Sequence, residues 1–327
     1  MMSIIFKFYM GLKCECGGEC ILDRRSLLEK IKGFYNGCKD CYDFHLDRRI
    51  PLEDQVDLEA VDRDWGKCGC GKRHLDTTMG HILVIMVEEG LLDKGSTLRS
   101  VGTPLMSIGY PLSRPPFLLP KSLILLSERL DKRTAKRIIG EVPEVKGVIK
   151  GDPRMTVGIL DSEHEPVVYE RLAGCDMRCD IIKTRIGALC IYKRQSRIHI
   201  ESPGSSYLKL MSLYNILKKF KGSFKVIDAT CGPGTLGLFA LFAGASKVIF
   251  NDIWSDGLEM TLINLEVNWL KGGKQGDFEV YNEDIRDLPG LIDEEYDICI
   301  VDPFPGVNVS PFVEASRRLA REVILIR

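Results

Sequence analysis

The sequence has no long apolar run. Its longest uninterrupted apolar stretches, Ile82 to Val87 among them, are far too short to span a membrane. A secretory start is also missing. The opening MMSIIFKFYMGLKCECGGEC has no basic beginning, is broken by Lys7 and runs straight into cysteines. That argues against a cleavable leader, and a cytoplasmic protein without a membrane partner is expected. Histidine is scarce, with five in 327 residues, and no Ser/His/Asp or Cys/His array can be assembled. His81, in an apolar helical stretch, is expected to be structural. There is no Lys-Ser/Thr pair of a triphosphate loop, no internal repeat and no low-complexity tract.

What is present fits a folded globular chain. Apolar residues make up 45% and net charge is −1, neither of which suits a disordered segment. The charge is unevenly spread. Residues 121–221 carry an excess of eight positive charges and residues 222–327 an excess of eight negative ones. A basic middle beside an acidic end suits an anionic partner. A solvated charged face explains it equally well.

Three regions follow. Residues 1–110 are rich in Cys, Gly and charge and include a helix over 77–89. Residues 111–200 form a basic middle. The spacing there predicts a helix over 121–139 and then two hairpins, MTVGIL with PVVYERL and GALCIYK with RIHIES. From residue 201 to 327, strands alternate with helices. FKVIDAT, KVIFND, FEVYNED, YDICIVD and EVILIR read as strands. This alternation defines an α/β fold with a doubly wound parallel sheet. Such sheets bind ligands at the carboxyl ends of their strands.

The first of these strands ends in DATCGPGTLG. Asp228, Gly232 and Gly234 form an acidic-x-x-x-Gly-x-Gly pattern, which is read here as distinct from a dinucleotide loop. Glycines let a ligand approach the backbone closely. Asp252 ends the second strand, where a carboxylate can accept both ribose hydroxyls. Asp284 ends the third, within reach of an adenine amino group. One such acid is a common turn residue; three at successive strand ends define a nucleoside site.

This ordered set resembles the class I S-adenosylmethionine-dependent methyltransferases, over roughly the last third of the chain. The resemblance implies a Rossmann-like sheet with Gly232 and Gly234 against the methionine part of S-adenosylmethionine. Asp252 would take the ribose and Asp284 the adenine amino group, with Asp228 ordering the loop or meeting the cofactor through water. The fourth strand ends in Asp302-Pro303-Phe304, beside the transferred methyl. Sulfonium methyl transfer needs positioning more than acid–base power. A carboxylate and the Pro303 carbonyl can accept the two N–H hydrogens of an exocyclic amine while Phe304 stacks on the base.

The Asp-Pro-Phe form is similar to the tRNA N2-guanosine dimethyltransferase family. So are Pro311-Phe312 downstream and the segment NDIWSDGLEMTLINLEVN with Asn264 and Asn268. That family continues with Gly where this chain has Pro305. The hairpin-then-helix order before residue 205 is also similar to tRNA guanine-N1 methyltransferases and wybutosine-pathway enzymes. The expected activity is methylation of an exocyclic amine of a base in RNA, with tRNA favoured. The alternative is a small-molecule or protein methyltransferase whose cysteine region binds substrate or partner. The hairpin over 187–201 is expected to fill the edge positions of the main sheet.

Seven of the twelve cysteines lie in the first 70 residues: Cys14, Cys16, Cys20, Cys38, Cys41, Cys68 and Cys70. Paired thiolates in Gly-rich turns suit structural zinc, with His45 or His74 as an eighth ligand and an iron–sulfur cluster as second choice. Cys175, Cys179 and Cys190 make a weaker set. Cys231 and Cys299 are expected in packing roles.

Overall fold

The computed structural model describes residues 14–42, 46–160, 163, 165–268 and 276–326. The chain divides into two compact units. One holds residues 25–155 and 168–178. The other holds 1–24, 156–167 and 179–327. His45 lies outside the described residues.

In the first unit, helix α1 (Leu75–Glu88) carries a buried face of Leu75, Met79, Ile82, Leu83 and Met86. A mixed sheet follows, in the order β1 (Thr103–Met106), β2 (Leu123–Leu126), β3 (Val145–Lys150), β4 (Glu170–Gly174). Helix α2 (Lys132–Glu141) crosses between the parallel neighbours β2 and β3, and Asp131 caps it by accepting the Thr134 amide at 2.8 Å.

The helix expected over 121–139 is therefore a strand followed by a helix. Leu123, Ile124, Leu125 and Leu126 are all fully buried. A short run buried on both faces carries no period to separate strand from helix. The first expected hairpin is absent as well. β4 pairs with β3, and residues 155–160 are not a strand. His81 is structural, stacked on Trp65 with ring centroids 4.7 Å apart.

The second unit contains the parallel sheet. A hairpin, β5 (Met177–Thr184) and β6 (Gly187–Arg194), leads to helix α3 (Pro203–Leu217). Ser202 caps α3 by accepting the Ser205 amide at 3.1 Å. Next come β7 (Lys225–Asp228), α4 (Thr235–Phe242), β8 (Lys247–Asn251), α5 (Ser255–Asn268), β9 (Asp277–Tyr281), β10 (Tyr296–Val301), α6 (Ser310–Arg317) and β11 (Ala320–Leu325). The strand order is β9-β8-β7-β10-β11, all parallel. The order reverses between β7 and β10, which opens a crevice at their carboxyl ends.

Alternate residues serve the two faces of this sheet. Val226, Val248, Phe250, Ile298 and Ile300 pack with Leu189, Ile191 and Leu210. Ile227, Ile249, Cys299 and Val301 pack with Leu288, Ala315 and Leu319 on the other side.

The hairpin does not extend the main sheet. Residues 197–202 are not a strand, and β6 pairs with β5 in a separate sheet. The backbone of β6 is instead clipped to α5 by two asparagines. Asn264 accepts the Tyr192 amide at 2.6 Å and donates to its carbonyl at 3.0 Å. Asn268 does the same for Cys190 at 2.9 and 2.7 Å. These side chains satisfy backbone groups that a sheet neighbour would otherwise take.

Candidate functional site

The loop from β7 to α4 is held by buried bonds. Gly232 and Gly234 adopt φ of +49° and +77°, in the left-handed region that favours glycine. A Cβ at Gly234 would lie 2.9 Å from Thr261 Oγ1. Thr261 donates to the Gly232 carbonyl at 2.7 Å, and Asn264 to the Pro233 carbonyl at 2.9 Å. Gly237 completes a Gly232-x-Gly234-x-x-Gly237 spacing, so the loop does carry the dinucleotide-type pattern that the sequence reading set aside. A Cβ at Gly237 would stand 2.4 Å from the Phe250 ring, and its absence lets helix and strand meet closely.

Two acids serve this loop differently. Asp228 Oδ2 accepts the Gly237 amide at 2.7 Å behind the loop. Burial pushes its carboxyl up to about 8, against the pull of that amide. Asp252 faces the cavity, accepting the amides of Gly232 at 2.7 Å and Trp254 at 2.8 Å. Burial raises it to about 6 while those two amides hold it down. Asn251 ties the strand ends together by donating to the carbonyls of Ala229 and Glu283, each at 3.0 Å. Asp284 accepts the Arg286 amide and Nε at 2.8 Å, and the guanidinium holds its carboxyl below the usual range.

Across the crevice, the Asp302 amide donates to Thr230 Oγ1 at 2.9 Å. The carboxylate accepts Lys209 Nζ at 2.7 Å. The His199 and Phe304 rings meet edge to face, 5.7 Å apart. Burial lowers the tendency of His199 to protonate.

Gly232, Asp252, Asp284, Asp302, Pro303 and Phe304 all line one cavity of about 340 Å³, within the size range of small-molecule sites. Asp228 and Gly234 do not line it; they shape the loop from behind. The cavity is also lined by His199, Glu201, Lys209 and Trp254, which sequence reasoning missed. One signal existed for Lys209. It falls on the inner face of α3 beside buried Ser206, Leu210 and Leu213, an odd place for an ammonium.

The cysteines gather in two places. Cys38, Cys41, Cys68 and Cys70 bring their sulfurs within 4.8 Å of one another, with Cys38–Cys68 and Cys41–Cys70 at 3.6 Å. Four zinc–thiolate bonds set sulfurs roughly 3.8 Å apart, so this donor set fits that ion. In the other unit, Cys16 Sγ lies 3.4 Å from Cys14 and 3.3 Å from Cys20. His74 is not part of either gathering. It is buried, and its Nδ1 accepts the Asp76 amide at 3.2 Å to cap α1.

A parallel sheet with a Gly loop and successive acidic strand ends is the architecture expected of a nucleoside-cofactor enzyme. Comparison with known proteins narrows this. The chain is 33% identical to the tRNA (guanine(26)-N(2))-dimethyltransferase of Pyrobaculum aerophilum over 114 residues, 34% of this chain and 29% of that one. It is 33% identical to the tRNA (guanine(10)-N2)-dimethyltransferase of Methanothermobacter thermautotrophicus over 122 residues, 37% of this chain and 34% of that one. The chain thus spans about a third of the length of these relatives. This likeness bears out the resemblance drawn from Asp302-Pro303-Phe304. The solved structure of Pyrococcus horikoshii TYW2 in complex with MeSAdo is 18% identical, with a TM-score of 0.43, over 74% of this chain and 76% of that one. No family model matches the chain. Among the described residues no helix is long and apolar enough to cross a membrane.

Proposed function

We propose that this protein is an S-adenosylmethionine-dependent methyltransferase acting on an exocyclic amine of a base in RNA, with tRNA the favoured substrate. One observation carries the reading. A single cavity joins Gly232, Asp252 and Asp284 to Asp302, Pro303 and Phe304 across the β7/β10 switch point. The Gly-x-Gly-x-x-Gly spacing alone suits dinucleotides equally. The acceptor triplet and the likeness to guanine dimethyltransferases favour methyl transfer.

In this reading the Gly232 backbone lies against the methionine part of the cofactor. Asp252 takes the ribose hydroxyls and Asp284 the adenine amino group. Bound S-adenosylmethionine supplies a methyl group on a sulfonium, already activated for displacement. Asp302 and the Pro303 carbonyl accept the two amine hydrogens, which turns the nitrogen lone pair toward that methyl. Phe304 stacks on the base. Asp228 and Gly234 keep the loop in shape.

Residues 201–327 carry the chemistry. The Cys-rich region 1–110 and the basic region 111–200 hold the RNA, a role supported by the positive excess between 121 and 221. Structural zinc on Cys38, Cys41, Cys68 and Cys70 fixes the first of these. Cys14, Cys16 and Cys20 offer thiolates to a second ion. The near-zero net charge favours a second reading, a small-molecule or protein acceptor.

The test is incubation with methyl-labelled S-adenosylmethionine and cell extract, split into RNA, protein and small-molecule fractions. Label should enter RNA, and RNA binding should weaken steeply with salt. Asp302→Ala should lower transfer about a hundredfold or more with cofactor affinity retained. Label confined to protein or small molecules would overturn the RNA assignment.

A further inference from the structure

Asp302 is not alone at the end of β10. Lys209 Nζ, from α3, lies 2.7 Å from Asp302 Oδ2 and 3.1 Å from Glu201 Oε1. Glu201 is itself held, its Oε2 accepting the Ser206 hydroxyl at 2.9 Å. One ammonium thus bridges two carboxylates, all three side chains no more than 30% exposed. No hydrogen bond reaches Asp302 Oδ1 from the described residues, and Asp302 lines the cavity.

This arrangement answers two needs of the proposed acceptor site. A carboxyl group accepts an amine N–H most strongly, and through either oxygen, while ionised, and burial opposes ionisation. It must also present one oxygen in a fixed direction. Charge-assisted hydrogen bonds to one oxygen do both. We propose that Lys209, anchored by Glu201, is a positioning residue that pins Asp302 Oδ2 and leaves an ionised Oδ1 for the acceptor amine. The inference rests on the methyltransferase reading of the site.

Other charges facing this cluster do not replace Lys209. Lys193 of β6 is paired with buried Asp180 at 3.2 Å. Burial disfavours His199 as a cation; Glu201 favours its charge, and Lys193 and Lys209 oppose it. Asp228 and Asp252, at the ends of β7 and β8, are carboxyls raised by burial and bring no cation to the cluster. Burial raises the Asp302 carboxyl, and Lys209 is what pulls it back.

The test uses the full chain with carboxyl-carbon-labelled aspartate, the Asp302 signal being assigned by its loss in Asp302→Asn. The readout is the pH midpoint of that signal in the wild type, Lys209→Met and Lys209→Arg. Cofactor binding by calorimetry reports that each variant is folded. Lys209→Met should move the midpoint up by about one pH unit or more, and Lys209→Arg should restore it. Because the ionised form is the working form, the acid limb of methyl transfer should move to higher pH by the same amount. Loss of rate should then be roughly tenfold greater at pH values below both midpoints than at pH values above them. An unchanged Asp302 midpoint in Lys209→Met would overturn the inference, as would an unshifted acid limb. Absence of methyl transfer by the wild type would instead sink the functional reading, while the carboxyl titration still decides what Lys209 does.

Discussion

Two sets of glycine-rich turns in this chain present polar groups by different means. The turn after β7 is held from behind. Asp228 takes the Gly237 amide, Asp252 the Gly232 amide, Thr261 the Gly232 carbonyl and Asn264 the Pro233 carbonyl. The cysteine turns have mainly local support. Cys41 donates to the Cys38 carbonyl at 3.1 Å and Gly71 to the Cys68 carbonyl at 2.8 Å. Lys72 reaches the carbonyls of Gly33 and Asn36 at 3.0 and 2.6 Å, while Cys38 and Cys70 are exposed. A turn built on buried bonds keeps its shape without its ligand. A turn built on thiols would depend on the ion proposed for them.

The largest expected effect breaks the comparison at the metal. Purified protein should carry zinc, measured by elemental analysis, and strong chelation should remove it. Hydrogen exchange should then accelerate by orders of magnitude at residues 38–41 and 68–71. Exchange at residues 228–237 and the affinity for S-adenosylmethionine should stay as before. Equal loosening of both loops would show that the loop after β7 is not self-supporting.

A second test addresses what supports that loop. The Asp228 carboxyl is raised to about 8 in the folded chain from an ordinary value of 3.8. The folded state therefore binds a proton that the unfolded state releases. Its contribution is fully present below about pH 4 and is lost as pH rises through about 8. Asp228→Asn should remove this dependence, since its amide oxygen can still accept the Gly237 N–H. Thermal melts should show the variant gaining on the wild type between pH 5 and pH 9, on the order of a few kcal/mol. A constant difference across that range would mean that Asp228 stays ionised in the folded chain.

The same contrast explains what could be read from the sequence. Strands β7, β8 and β10 are buried on both faces, so each appears as an apolar run between a helix and a loop. Asp252, Asp284 and Asp302 could be placed because strand ends are visible in such a pattern. The similar run Leu123–Leu126 misled because a helical spacing overlapped it. The hairpin's position was not legible, because it depends on Asn264 and Asn268 bonding to β6 across more than seventy residues. Asp228 and Asp252 look alike in sequence; only burial and partners separate the loop's support from its cavity wall. Lys209 belongs to no motif, and nothing local in α3 says that its amine meets Asp302.

The smallest expected effects come from adding one methyl group to each kind of turn. At Gly234, alanine would hold an unfavourable φ of +77° and push its Cβ to 2.9 Å from Thr261 Oγ1. Relief requires moving Thr261, which also holds the Gly232 carbonyl. Gly234→Ala should cost about 1–3 kcal/mol of stability and weaken S-adenosylmethionine binding roughly tenfold. At Gly69, between Cys68 and Cys70, an added Cβ meets nothing within 4 Å. Gly69→Ala should change stability by less than about 0.5 kcal/mol and leave zinc content intact. Denaturant melts with calorimetry for each ligand give both numbers. A Gly69→Ala penalty matching that of Gly234→Ala would mean that the cysteine turns are as tightly built as the loop after β7, and the contrast between them would be lost.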